Sequence, residues 1–160
     1  MIASWIMKRM VRSGFVKLGA QGDAEGGFGY AADNITYDVP LELSEGVTVR
    51  SKKEVLDWFH KWYEQFPKRK LIPKNICFAA WPMCPTNVCI VEWTCEETDK
   101  EGREYRYDGT TVTEMRGGKG IRTTEYIACK GLPQLSTLTR PIGKKEKLSD
   151  HFEIQTKEGD

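Results

Sequence analysis

Residues 51–66 constrain this chain more than any other stretch. Ser51 and Glu54 stand at capping-box spacing, so the serine hydroxyl and the glutamate carboxylate both satisfy amide donors at a helix start. Val55, Trp58, Phe59, Trp62 and Phe66 then recur at i, i+3, i+4, i+7 and i+11, and Pro67 stops the pattern. Each such side chain gains ~1.5–3 kcal/mol from leaving water. A face this wide and this aromatic requires a sheet to cover it.

The chain downstream supplies that sheet. Candidate strands read at about 69–80, 86–97, 103–115 and 119–128. Asp99-Lys100-Glu101-Gly102 makes a hairpin turn between the second and third, and Arg116-Gly117-Gly118-Lys119 offers the left-handed backbone positions for the next. Side chains alternate across a strand. Cys89, Val91, Trp93 and Cys95 therefore share the more apolar face of their strand, opposite Val88, Ile90, Glu92 and Thr94, and Val91 and Trp93 are read as interior wall. On the next strand Tyr105 and Tyr107 oppose Arg106 and Asp108, and the pattern leaves open which pair points inward.

Upstream, residues 2–19 carry Trp5, Ile6, Met10, Val11 and Leu18 among basic residues, a helical stripe interrupted by Gly14. Gln21-Gly22-Asp23 reads as a stop and restart, and Gly26, Gly27 and Gly29 weaken any second helix, since each costs about 1 kcal/mol relative to Ala. Helices first, then a meander of long antiparallel strands, give an α+β fold in which a curved sheet wraps around the helices. The pattern decays from Cys129, which sets the domain at 1–128 and a charged extension at 129–160 whose late anchors are Phe152 and Ile154.

Composition excludes several classes of function. With 160 residues the chain builds one core, and 24 Lys and Arg against 23 Asp and Glu give no electrostatic reason to expect nucleic acid or an anionic membrane. Five cysteines without a C-x-x-C pair fit neither a disulfide framework nor a zinc site, and a reducing cytoplasm is the simplest compartment. Neither His60 nor His151 has a partner at metal-ligand spacing, His60 is read as solvent-facing, and no nucleotide or phosphate fingerprint occurs, so neither metal nor cofactor is expected. The run Met1–Met7 is too short for the ~20 residues of a membrane span. Trp81 stands apart in a proline-bounded connection, where it covers a cavity mouth or meets another subunit.

The segment Tyr30-Ala31-Ala32-Asp33-Asn34-Ile35-Thr36-Tyr37-Asp38-Val39-Pro40 resembles the SnoaL-like and ketosteroid isomerase-like members of the nuclear transport factor 2-like superfamily. In those proteins a helical Tyr-Ala-x-Asp precedes a strand facing a blind apolar cavity. The resemblance implies a cone-shaped, cystatin-like roll with a cavity lined by Phe15, Tyr30, Trp58, Phe59, Trp62, Val91, Trp93 and Tyr107. It also implies Asp38 as general base, because a desolvated carboxylate becomes more basic. Departures are equally legible: Phe15 replaces the helix-one tyrosine, and Thr110 falls near the position of the second acid, with Asp108 two residues earlier. Glu125 is a second acid or one half of a cross-strand ion pair.

Two functions follow. One is binding of a small apolar or aromatic molecule with cofactor-independent isomerase, lyase or cyclase chemistry at Asp38 and Asp108. The other is a non-catalytic interaction domain with a packed cavity. Val and Ile on both faces of 88–91, with the family's habit of pairing through the outer sheet face, imply a homodimer.

Overall fold

The computed structural model describes residues 2–40, 47–81 and 84–127. The extension at 129–160, with Cys129, His151, Phe152 and Ile154, lies outside the described residues. Helix α1 (Ile2–Val16) runs into a π-helical turn (Lys17–Gln21) and a single-turn helix α2 (Ala24–Gly27). Strand β1 (Ala31–Val39), strand β2 (Val47–Val49) and helix α3 (Lys52–Gln65) follow, then the long strands β3 (Lys68–Phe78), β4 (Thr86–Thr98), β5 (Glu104–Arg116) and β6 (Lys119–Ile127). The six strands form one sheet in the order β2-β1-β6-β5-β4-β3. Every pairing is antiparallel except β1 with β6, which is parallel.

Helix α3 forms as its sequence dictates. Ser51 accepts from the Glu54 amide at 3.2 Å, and Glu54 accepts from the Arg50 amide at 2.8 Å. Val55, Trp58, Phe59 and Trp62 are buried on one face, with Phe66 closing the end. Rings of Phe28, Tyr37, Trp58, Phe59 and Trp62 meet mostly edge to face, the arrangement aromatic quadrupoles favour. The α3–sheet core demanded by the aromatic stripe is thus in place.

Two local expectations are corrected. Ala31, Ala32 and Asp33 are the first residues of β1 rather than part of a helix, and β1 consequently runs for nine residues. The second helix is reduced to four residues, opened by Asp23, whose carboxylate accepts from the Gly26 amide at 2.8 Å. The two hairpins fold as read: Gly102 sits at φ +82°, and Gly117 and Gly118 at +55° and +77°. Gly109 has a different task, since an added Cβ would stand 2.4 Å from the Trp93 ring, so its missing side chain lets that indole lie flat on β5. Among the described residues no helix is long and apolar enough to cross a membrane.

Candidate functional site

The period of two settles which side chains enter the cone. On β4, Cys89, Val91, Trp93, Cys95 and Glu97 are buried. On β5, Tyr107, Thr111 and Thr113 share the inward phase, so the tyrosine pair, not Arg106 and Asp108, faces the helices. Strand β1 turns Ile35, Tyr37 and Val39 inward, each at 1% exposure or less. Strand β6 contributes Thr123, Glu125 and Ile127.

These faces and the helices enclose a cavity of about 40 Å³. Its lining includes Phe15, Tyr30, Trp58, Phe59, Trp62, Trp93 and Tyr107, and also Leu18, Phe28, Tyr37, Leu71, Thr111, Thr123, Glu125 and Ile127. Val91, expected in the wall, is instead packed within the core and does not reach the cavity.

Asp38 is not in the cavity. It lies on the convex face, where its carboxylate accepts from Thr48 Oγ1 at 2.8 Å and pairs with the Arg122 guanidinium at 2.9 Å. Its neighbours Tyr37 and Val39 occupy the inward phase, and a strand cannot turn consecutive residues to one side. Asp108 is likewise outside, bound to Lys74 Nζ at 2.7 Å and to Thr94 Oγ1 at 2.5 Å. Those donors, the Lys74 ammonium first, hold its carboxyl below the usual range. The structure therefore does not bring Asp38 and Asp108 together with the predicted lining.

The acid inside is Glu125. The Trp93 indole donates to Thr111 Oγ1 at 2.8 Å, and Thr111, its acceptor capacity so engaged, donates its proton to Glu125 Oε1 at 3.1 Å. Glu125 keeps some solvent contact as a residue. Its carboxylate is nevertheless enclosed enough that desolvation raises its pKa, against the lowering influence of Tyr37 and Thr111. Among the described residues no Lys, Arg or His lines the cavity.

Tyr37 completes the arrangement. Its hydroxyl is fully buried and faces the Glu125 carboxylate in a loose contact that falls short of good hydrogen-bond geometry. Burial pushes its pKa well above the ordinary tyrosine value. The Trp58 indole N–H is buried and unpartnered. The two rings lie 5.9 Å apart. A tyrosine hydroxyl held only loosely and an orphan indole N–H in the lining of one cavity are uncommon in a finished core, where nearly all such groups are well paired. Tyr30 closes the side of the cavity near Thr113 and Thr123: the residue as a whole is 36% exposed, yet burial of its hydroxyl end pushes the pKa up to about 12.

A second inward acid, Glu97, lies under the end of α3. It is 5% exposed, accepts from Trp62 Nε1 at 2.9 Å and takes the Cys95 thiol at 3.6 Å. Desolvation raises its pKa, partly offset by these donors and by the charge of Arg69. Its donors are all protein groups, which makes it a structural acid.

His60 is exposed and meets Glu25 at 3.2 Å, as a solvent-facing helix residue should. Trp81 is 56% exposed beside a shallow groove with Ser4 and Lys8, away from the cavity. Cys77, Cys84, Cys89 and Cys95 are free thiols, and no metal-holding cluster exists among the described residues.

The model of the SnoaL-like domain matches residues 13–123. The chain belongs to the SnoaL-like family. Three solved structures share the fold. A nuclear transport factor 2-like protein of unknown function from Burkholderia pseudomallei superposes with TM-score 0.62 at 15% identity, covering 79% of this chain and 92% of its own. A protein described as a SnoaL-like polyketide cyclase from Jannaschia gives 0.59 at 10% identity, with 79% and 85% covered. A ketosteroid isomerase-like protein from Catenulispora acidiphila, solved with trimethylamine, gives 0.58 at 11% identity, with 73% and 83% covered. At these identities the likeness establishes the fold alone. No curated protein matches the sequence significantly.

Proposed function

We propose that this SnoaL-like domain binds a small, largely apolar molecule in its cone and exchanges a proton with it at Glu125. The observation that carries this reading is the enclosed Glu125 carboxylate in one cavity with the buried Tyr37 hydroxyl, which faces it, and the unpartnered Trp58 N–H. A carboxylate whose pKa is raised toward neutrality is a better base than a solvated one. In the reaction, Glu125 removes a proton from a carbon next to a carbonyl, and the electron pair left behind moves to the carbonyl oxygen. The Tyr37 hydroxyl and Trp58 N–H then donate to that oxygen, where negative charge develops. Returning the proton to a different carbon gives an isomerase, and expelling a leaving group gives a lyase. The Catenulispora neighbour of the same fold was solved in complex with trimethylamine, a small molecule.

The test is binding followed by exchange. Small cyclic ketones screened by quenching of tryptophan fluorescence should find ligands, and in deuterated water the bound ligand's α-protons should exchange. Glu125→Gln should abolish exchange while leaving binding in place, and Tyr37→Phe should slow it. Undiminished exchange in Glu125→Gln would sink the assignment.

One observation favours a second reading, a non-catalytic interaction domain with a filled interior. The cavity of about 40 Å³ is far below the ~300–1,000 Å³ of typical ligand pockets, so a larger substrate requires the helices to move. In both readings we place a second copy on the convex face, where Ile90 and Tyr126 are 37% and 55% exposed. Light scattering at micromolar concentration should report twice the monomer mass.

A further inference from the structure

The cavity lining has, among the described residues, only one electrostatic sign. Among the described residues it contains a single carboxylate, Glu125, and no basic side chain. None of the ion pairs among the described residues involves Glu125. Around that carboxylate stand the rings of Phe28, Tyr37, Trp58, Phe59, Trp93 and Tyr107. An aromatic face carries negative quadrupole charge, so each ring that turns its face to the cavity adds to the field of the carboxylate. The contrast with the outside of the same sheet is sharp, since Asp38 and Asp108 each have a basic partner there.

Such a space rejects anions. A carboxylate or phosphate ligand would enter without a cation to meet it and would face Glu125 directly. An uncharged apolar molecule is tolerated, but it leaves the carboxylate buried without a counter-charge, an expensive arrangement. A compact organic cation answers both features, because the rings attract it through their faces and the carboxylate neutralises it.

We infer that the ligand of this cavity carries a positively charged nitrogen, of the methylated-ammonium type, with Glu125 as its counter-ion and the aromatic rings as its cage. This rests on the proposed reading of the cavity as a ligand site and specifies the ligand class. The two roles of Glu125 pull on each other: a positive nitrogen beside a C–H bond makes that proton more acidic, while the same charge lowers the pKa of the carboxylate that takes it.

The experiment compares tetramethylammonium with tert-butanol, two probes of equal heavy-atom count and similar shape, by isothermal titration calorimetry on the full chain. Tetramethylammonium should bind about ten-fold more tightly or better, the scale of a desolvated cation–π and charge contact. Glu125→Gln should erase that preference while tert-butanol binding stays unchanged. Since the probe has no titrating proton, a pH series on the unmodified protein gives an independent readout. Its affinity should rise with pH through the raised pKa of Glu125, while tert-butanol stays flat. The other titratable groups facing Glu125 are Tyr30 and Tyr37 beside and on β1, Tyr107 on β5 and Cys95 on β4, and all are held protonated by burial across that range. Equal affinities for the two probes, or a flat pH series for tetramethylammonium, would overturn the cationic assignment while the apolar cavity reading stands. If neither probe binds, both readings fail.

Discussion

The two faces of the sheet treat the same chemical group in opposite ways. On the convex face, Asp38, Asp108 and Glu96 each meet an arginine or lysine in partial solvent. On the concave face, Glu125 has hydroxyl neighbours and no cation, and Glu97 relies mainly on an indole and a thiol. The difference arises from phase alone, because a step of one residue along β1 or β6 carries a side chain through the sheet. A carboxylate outside is a modest surface feature, whereas one inside has its pKa raised by the loss of water.

Substitutions on the two faces should separate them by size. The largest effect belongs to Trp62→Ala, which opens a core void and removes the indole donor of Glu97. It should cost about 3–5 kcal/mol in urea denaturation, while Glu96→Gln on the outside should cost less than about 1 kcal/mol. Comparable losses at both positions would break the contrast.

Thr111→Val comes next. It keeps the shape but orphans the Trp93 N–H and takes a donor from Glu125, so stability should fall by about 1–3 kcal/mol. The Glu125 pKa, followed by carboxyl-carbon NMR, should move further up.

Glu125→Gln should be mildly stabilising at neutral pH. A carboxyl whose folded pKa is raised contributes most below its unfolded value of about 4.3 and loses that contribution as pH climbs through the folded pKa. Thermal midpoints of the two proteins should therefore match at low pH and diverge above it, with the variant higher. Glu97 shifts in the same direction, so the variant should retain part of the slope. A variant less stable at every pH would show that Glu125 is a structural acid.

The smallest effect is expected at Asp38. Asp38→Asn weakens a pair whose arginine is 55% exposed, costing about 0–1 kcal/mol, and should leave binding in the cone unchanged. Loss of binding would restore Asp38 as a site residue and undo the distinction between faces.

Much of this was legible in the residues. The stripe of α3, the strand bounds and both hairpin turns followed from spacing and turn chemistry, and with them most of the cavity lining. The acid did not. Ile35, Tyr37 and Val39 alternate as an apolar phase with Asn34, Thr36 and Asp38 opposite, which already turns Asp38 outward. Family resemblance drew attention to the acid and away from that alternation. Glu97 continues the phase of Cys89, Val91, Trp93 and Cys95 and could have been found by extending it by one step. Tyr37 as a loosely held donor had no sequence signal, because how well a hydroxyl is partnered depends on three-dimensional neighbours.

The parallel pairing of β1 with β6 sets the order in which these parts come together. Tyr37 lies opposite Thr123 in that pairing, so the hydroxyl and the carboxylate at its side come from segments separated by most of the domain. A ribosome would release residues 31–39 long before their strand partner exists, leaving Ile35, Tyr37 and Val39 uncovered in the meantime. Contacts of such sequence separation form slowly. The last described strand, β6, both joins β1 to β5 and delivers Glu125, so the cavity receives its acid in the same step that completes the described sheet.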